Sequence, residues 1–169
     1  MSTWLTEKEY RQSGAIAAGM TINAAFMDEI KADFDFRSTL NRTYYWLNQK
    51  PDATPRLVVQ WLGELRDQLE TYFALEEFYG YFQQETIENP VVSRKAHAKT
   101  QEHGTLYLDL SRVIDLAEQI VYREAADNVN VDTVRSEFEK FCIALAKHEQ
   151  DEMELIMQLC NQDIGGGGD

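Results

Sequence analysis

Four stretches of the chain repeat apolar residues at alternating spacings of three and four, the period of a helix with one buried face. The first runs Ile22, Phe26, Ile30, Phe34, then Leu40 and Tyr44 beyond Arg37. The second runs Leu62, Leu65, Leu69, Tyr72, Glu76, Tyr79, and the third His103, Leu106, Leu110, Val113, Ala117, Ile120. The fourth runs Phe138, Phe141, Leu145, His148, Glu152, Leu155, Leu159. No stretch alternates apolar and polar residues long enough for a useful strand, and no internal repeat is visible.

The breaks between these stretches carry turn chemistry. Pro51 and Pro55 bracket one connection and Pro90 marks another. Thr54-Pro55 and Asn89-Pro90 each read as an N-cap followed by proline in the first turn. A third connection covers Asp127 to Asp132, with Asp132 as the expected N-cap. The spacing predicts helices over 21–48, 55–86, 91–126 and 132–162. Long helices with short connections predict an all-α, up-down-up-down four-helix bundle over 21–162. Residues 1–20 are expected as a lead-in whose Trp4 and Leu5 pack on the bundle, and 163–169 as a flexible Gly-rich tail.

Composition narrows the partners. The 169 residues carry a formal net charge of -13, which argues against nucleic acid and anionic membrane surfaces. No run approaches the ~18 apolar residues of a membrane span. The opening Met1 to Tyr10 lacks the basic-then-apolar layout of a secretory signal. Cys142 and Cys160 would lie about 27 Å apart on one helix, too far for a disulfide within the chain. These features lead us to expect a cytoplasmic protein with reduced thiols.

The polar intruders on the apolar stripes carry the candidate chemistry. At 1.5 Å per residue, Phe34 lies about 20 Å into the first helix and His103 about 18 Å into the third. The second and fourth helices start at the other end. The Tyr72–Glu76 midpoint lies about 28 Å into the second, and the His148–Glu152 midpoint about 27 Å into the fourth. With helices about 45 Å long, all four positions share one layer. Glu76, His103, His148 and Glu152 are therefore expected to converge inside the bundle. Two imidazoles and two carboxylates suit a single iron, manganese or zinc ion. Tyr72 and Glu77 are possible additional ligands, with Asp33 and Asp35 in reserve. The metal-free alternative is a hydrogen-bonded network in which a protonated His103 or His148 pairs with Glu76 and Glu152 while Tyr72 donates. His97, about 120° off the third stripe, reads as solvent-facing, as do Glu149 and Asp151. The aromatic cluster Phe73, Phe78, Tyr79, Tyr81 and Phe82 reads as core or as a dimer face.

The pattern resembles the hemerythrin-like cation-binding domain family. Glu102-His103 resembles its third-helix element, and His148-Glu-Gln-Asp-Glu152 its fourth. Tyr72-Phe-Ala-Leu-Glu-Glu77 resembles the second-helix element with Tyr72 where the family has His. Ile30-Lys-Ala-Asp-Phe34 resembles the first with Phe34 where the family has His. The resemblance spans 22–160. It implies a di-iron fold that has lost both nitrogen ligands of one iron, so a full di-iron centre is not expected.

The leading expectation is a bundle with a degenerate cation site holding one divalent metal or none. It would act in metal binding, sensing or partner interaction, and not as a turnover enzyme. One alternative is an iron- or manganese-dependent carboxylate protein reacting with oxygen or peroxide. The other is a metal-free scaffold for a protein partner or a homodimer.

Overall fold

The computed structural model describes residues 24–49, 54–79, 90–122 and 130–164. Four helices fill them: α1 (Ala24–Gln49), α2 (Pro55–Tyr79), α3 (Pro90–Tyr122) and α4 (Val131–Ile164). No strand occurs among the described residues. The predicted lead-in over 1–20, the extension of the second helix to 86 and the end of the third at 123–126 lie outside them.

Proline starts two of the helices because its missing N–H is one that a first turn cannot use. Thr54 O accepts the N–H groups of Leu57 and Val58 at 2.9 and 3.2 Å, with Pro55 inside that turn. α4 is capped two positions earlier than expected from Asp132. Asn130 Oδ1 accepts the Thr133 N–H at 2.9 Å, and Asn130 O accepts from Thr133 and Val134. Asp132 instead sits in the first turn and pairs with Arg135, where a carboxylate favours the positive helix end.

The helices pack in chain order, α1 on α2, α2 on α3 and α3 on α4, as short connections require. One apolar core runs through them. It joins Phe36, Leu40 and Leu47 of α1 to Leu62, Leu65 and Leu69 of α2, Leu110 and Val113 of α3, and Phe138, Phe141 and Leu145 of α4. The α1–α4 seam is bridged by arginines. Arg135 Nε donates to Leu47 O at 2.8 Å, and Arg37 Nη1 donates to Glu149 Oε2 at 3.3 Å.

The buried positions of α2, α3 and α4 follow the sequence pattern from Leu62 to Tyr72, His103 to Ala117 and Phe138 to Leu155, but the buried face of α1 is rotated. Its buried positions are Ala32, Phe36, Thr39, Leu40, Thr43 and Leu47. Phe34 is 42% exposed and Tyr44 44% exposed, so neither belongs to the inner face. Two residues on a helix are 200° apart, so Phe36 inside puts Phe34 outside. α4 is continuous through 142 and 160, which separates the two cysteines by about 27 Å; Cys142 is a free thiol at the core margin.

Candidate metal centre

The inner stripes carry two imidazoles and two carboxylates to one level. His103 is the fourteenth residue of α3, about 20 Å from its start, and His148 lies about 24 Å from the end of α4. These ends lie together in an antiparallel pair. Both histidines are buried, at 5% and 3% exposure, and Glu152 at 7%. Glu76 is mostly buried on α2, one turn beyond Tyr72.

The histidines meet through their Nε2 atoms, 3.1 Å apart. Their outer nitrogens are already committed. His103 Nδ1 donates to Glu77 Oε1 at 2.9 Å, and His148 Nδ1 donates to Glu102 Oε2 at 2.9 Å. A carboxylate only accepts, so each Nδ1 holds a proton, and a ring without a second proton turns an Nε2 lone pair inward. Two lone pairs at this distance repel unless a proton or a metal cation lies between them. Outer carboxylates on Nδ1 are the usual way a ligating histidine is oriented and made more basic.

Glu76 completes the cluster. A ligand atom from each of Glu76, His103 and His148 lies within 4.8 Å of the others, enough to hold one metal ion. Glu76 Oε2 is 3.5 Å from His103 Nε2 and has no hydrogen-bond partner although it is buried. Its other oxygen accepts the Tyr72 hydroxyl at 3.3 Å. Glu152 Oε2 stands 3.9 Å from His148 Nε2, beside this triad rather than within it.

The electrostatics follow from burial. Desolvation, then the charge of Glu152, pushes the Glu76 carboxyl up to about 9. Burial also lowers His103 below the usual imidazole range, against the hydrogen bond to Glu77. The Tyr72 phenol is raised by burial and then by Glu76, so it stays protonated and serves as a donor. Burial works to raise Glu102 as well, but the His148 hydrogen bond and the Lys99 ammonium outweigh it and hold the group low. Lys99 bridges Glu102 Oε2 and Asp151 Oδ2 at 2.9 and 3.1 Å, which continues the chain from His148 to the surface.

Aromatic rings set the walls. Phe73 stacks on His103 with centroids 3.9 Å apart and 5° between planes. Phe36 stacks on Tyr72 at 5.1 Å and 6°. Tyr72 therefore faces α1 while its neighbour Phe73 faces α3.

Of the residues expected at the site, Glu76, His103 and His148 converge and Glu152 borders them. Tyr72 acts through Glu76. Glu77 lies behind His103, on the ring nitrogen facing away from His148, with its side chain 44% exposed. Phe34 is not in the layer; the α1 residue at Tyr72 is Phe36. Glu149 is not solvated: it is mostly buried and paired with Arg37, and burial raises its carboxyl. His97 is exposed, as its angle implied. Sequence reasoning missed Glu102 as the orienting partner of His148 and Phe73 as the stacking ring. Glu102, immediately before His103, carried the only signal.

A single metal ion fits these residues. Bonds of about 2.1 Å place adjacent ligand atoms about 3.0 Å apart in an octahedron and about 3.3–3.4 Å in a tetrahedron. The Nε2 separation of 3.1 Å falls at that spacing. Among the described residues, no helix is long and apolar enough to cross a membrane. No family model, curated protein or solved structure was found to match the chain.

Proposed function

We propose that this protein is a hemerythrin-like bundle that holds one divalent transition-metal ion through His103 Nε2, His148 Nε2 and Glu76, with Glu152 adjacent as a fourth ligand and second oxygen donor. The observation that carries the reading is the confrontation of the two Nε2 atoms at 3.1 Å while both Nδ1 atoms are bonded outward. Beside them the Glu76 and Glu152 carboxyls crowd each other in a buried setting. Inward lone pairs and crowded carboxyls both call for positive charge at one point. Two nitrogens with one or two oxygens suit iron, manganese or zinc better than the all-oxygen preference of calcium.

A bound ion of this kind supplies Lewis acidity, and redox chemistry where it is iron or manganese. The chain's own residues do the rest. Glu77 and Glu102 fix the two imidazole planes, Phe73 packs flat on one of them, and Tyr72 holds Glu76 by its outer oxygen. In the family resemblance, this half of the site is kept while the other half carries Phe34 and Tyr72 where the family has His.

A proton can meet the same demand, and the Tyr72 donation to Glu76 favours that second reading: a metal-free polar layer that sets helix register. Elemental analysis separates the two. Protein purified from iron-, manganese- and zinc-supplemented cells is expected to carry about one metal per chain, lost in His148→Ala. Metal-free wild type with a melting temperature indifferent to EDTA and to added Mn2+ or Zn2+ would establish the proton network instead.

A further inference from the structure

His148 is held from outside by a carboxylate that is itself held. Its Nδ1 donates to Glu102 Oε2 at 2.9 Å, and the Glu102 side chain is 43% exposed. A half-exposed glutamate has several rotamers open to it in water, so on its own this bond would fix the ring loosely. Lys99 removes that freedom. Its Nζ donates to both Glu102 oxygens, at 3.1 and 2.9 Å, and to Asp151 Oδ2 at 3.1 Å. Lys99 stands about one turn before Glu102 on α3, and Asp151 about one turn after His148 on α4. The ammonium therefore ties the two helices together one turn beyond the contact between His103 and His148. The Lys99 side chain is only 13% exposed and lines the α3–α4 groove with Ala98 and Leu155. Lysines usually reach for water, so one withdrawn to this degree is pinned in place.

The direction of an imidazole's inner nitrogen follows the orientation of its ring, and that orientation follows the bond at the outer nitrogen. We infer that Lys99 is a positioning residue: it holds the Glu102 carboxylate on His148 Nδ1 and so keeps His148 Nε2 aimed at His103 and Glu76. It acts through Glu102. Its effect on metal affinity rests on the reading that an ion binds between the histidines, whereas its effect on the ring exists without metal.

The test uses the full chain as wild type, Lys99→Met, Lys99→Arg, Glu102→Ala and the double variant Lys99→Met/Glu102→Ala. Methionine keeps an unbranched apolar stem and loses the charged donors, while arginine keeps the charge and several donors. The first readout is Zn2+ affinity by chelator competition. Lys99→Met should bind about tenfold more weakly than wild type, the lower end of the range for partners of metal ligands, and Lys99→Arg should stay close to wild type. The double variant should bind no more weakly than Glu102→Ala, because Lys99 then has no carboxylate to position. The second readout needs no metal: exchange of the two ring Nδ1–H protons with water, followed by NMR in EDTA. In Lys99→Met the His148 proton should exchange several-fold faster, while the His103 proton, held by Glu77, keeps its wild-type rate. Wild-type affinity in Lys99→Met, a double variant weaker than Glu102→Ala by the full effect of Lys99→Met, or equal acceleration at both rings overturns the proposal. If wild type binds no Zn2+, the metal reading fails by itself and the exchange rates decide Lys99. Acceleration confined to His148 then upholds its role, and no acceleration removes it.

Discussion

Replacing Glu76 by Gln removes a carboxyl that the fold holds neutral near neutral pH. Burial first, and the neighbouring Glu152 second, push this group from 4.5 up to about 9. Between those values the metal-free native state holds a proton that the unfolded chain has released. Stability therefore falls as pH rises, by at most about 1.4 kcal/mol per pH unit, and the loss is complete above about pH 9. His103 works in a different window. Burial depresses it, so its destabilising effect appears as pH falls through the ordinary imidazole value of about 6.5. The difference between wild type and Glu76→Gln at about pH 7 and about pH 8.5 therefore reads Glu76, because Cys142 and Glu149, which burial also raises, titrate in both proteins. Over that interval the ceiling is about 2 kcal/mol, or about 4–8 °C in Tm for a chain of this size. Thermal unfolding in EDTA, followed by far-UV circular dichroism, reads it directly. Wild type should lose more Tm than Glu76→Gln across the interval, approaching that ceiling. A bound divalent ion should shrink the loss, because it takes the ionised form that rising pH otherwise penalises. Parallel curves for the two proteins in EDTA would refute the placement of Glu76 in a buried layer beside Glu152.

Other consequences are simpler to read. Phe34→His should leave metal content and Tm essentially unchanged, because Phe34 lies on the outer face of α1; a gained metal would mean that α1 is rotated from its described position. Glu102→Gln should weaken metal affinity about 10–100-fold in a competition titration, with little change of Tm in EDTA, because Glu102 orients His148 from a half-exposed position. Unaltered affinity would deny it that role. Leu65→Ala, at a fully buried core position, should cost about 2–5 kcal/mol in urea unfolding; a cost below about 1 kcal/mol would contradict a close-packed core there.

Much of the bundle was legible because three stripes combine long apolar residues with a steady period. Leu62, Leu65 and Leu69 on α2, Leu106, Leu110 and Val113 on α3, and Phe138, Phe141 and Leu145 on α4 are all buried. Depth arithmetic worked for the same reason: rise per residue is constant, so His103, His148 and Glu76 fell into one layer without knowledge of contacts. Rotation about the helix axis is harder to read. On α1 the apolar series through Phe34 competed with one through Phe36, and two of the buried positions of the true face are Thr39 and Thr43. Polar residues on the inner face and aromatic ones on the outer face erased the contrast that periodicity needs.

Long-range pairing was beyond the sequence altogether. Glu149 reads as a solvated neighbour of His148 until Arg37, 112 residues away in the chain, closes on it. Glu102 and Glu77 show the related difficulty of telling a ligand from its support. Both lie next to ligating positions, and only the choice of ring nitrogen separates them from Glu76. Phe73 was hidden by its neighbour, since Tyr72 alone continues the stripe. α2 is wedged between α1 and α3, and this buries both rings on different sides.

X-ray absorption on the metal-loaded wild-type protein bears most directly on the site itself. A single ion between His103 and His148 predicts a first shell of nitrogen and oxygen with bonds of about 2.1 Å, an outer-shell signature of two imidazoles, and no metal–metal scattering near 3.5–4 Å. An outer shell without imidazole, or a second metal at that distance, would contradict a one-ion histidine site.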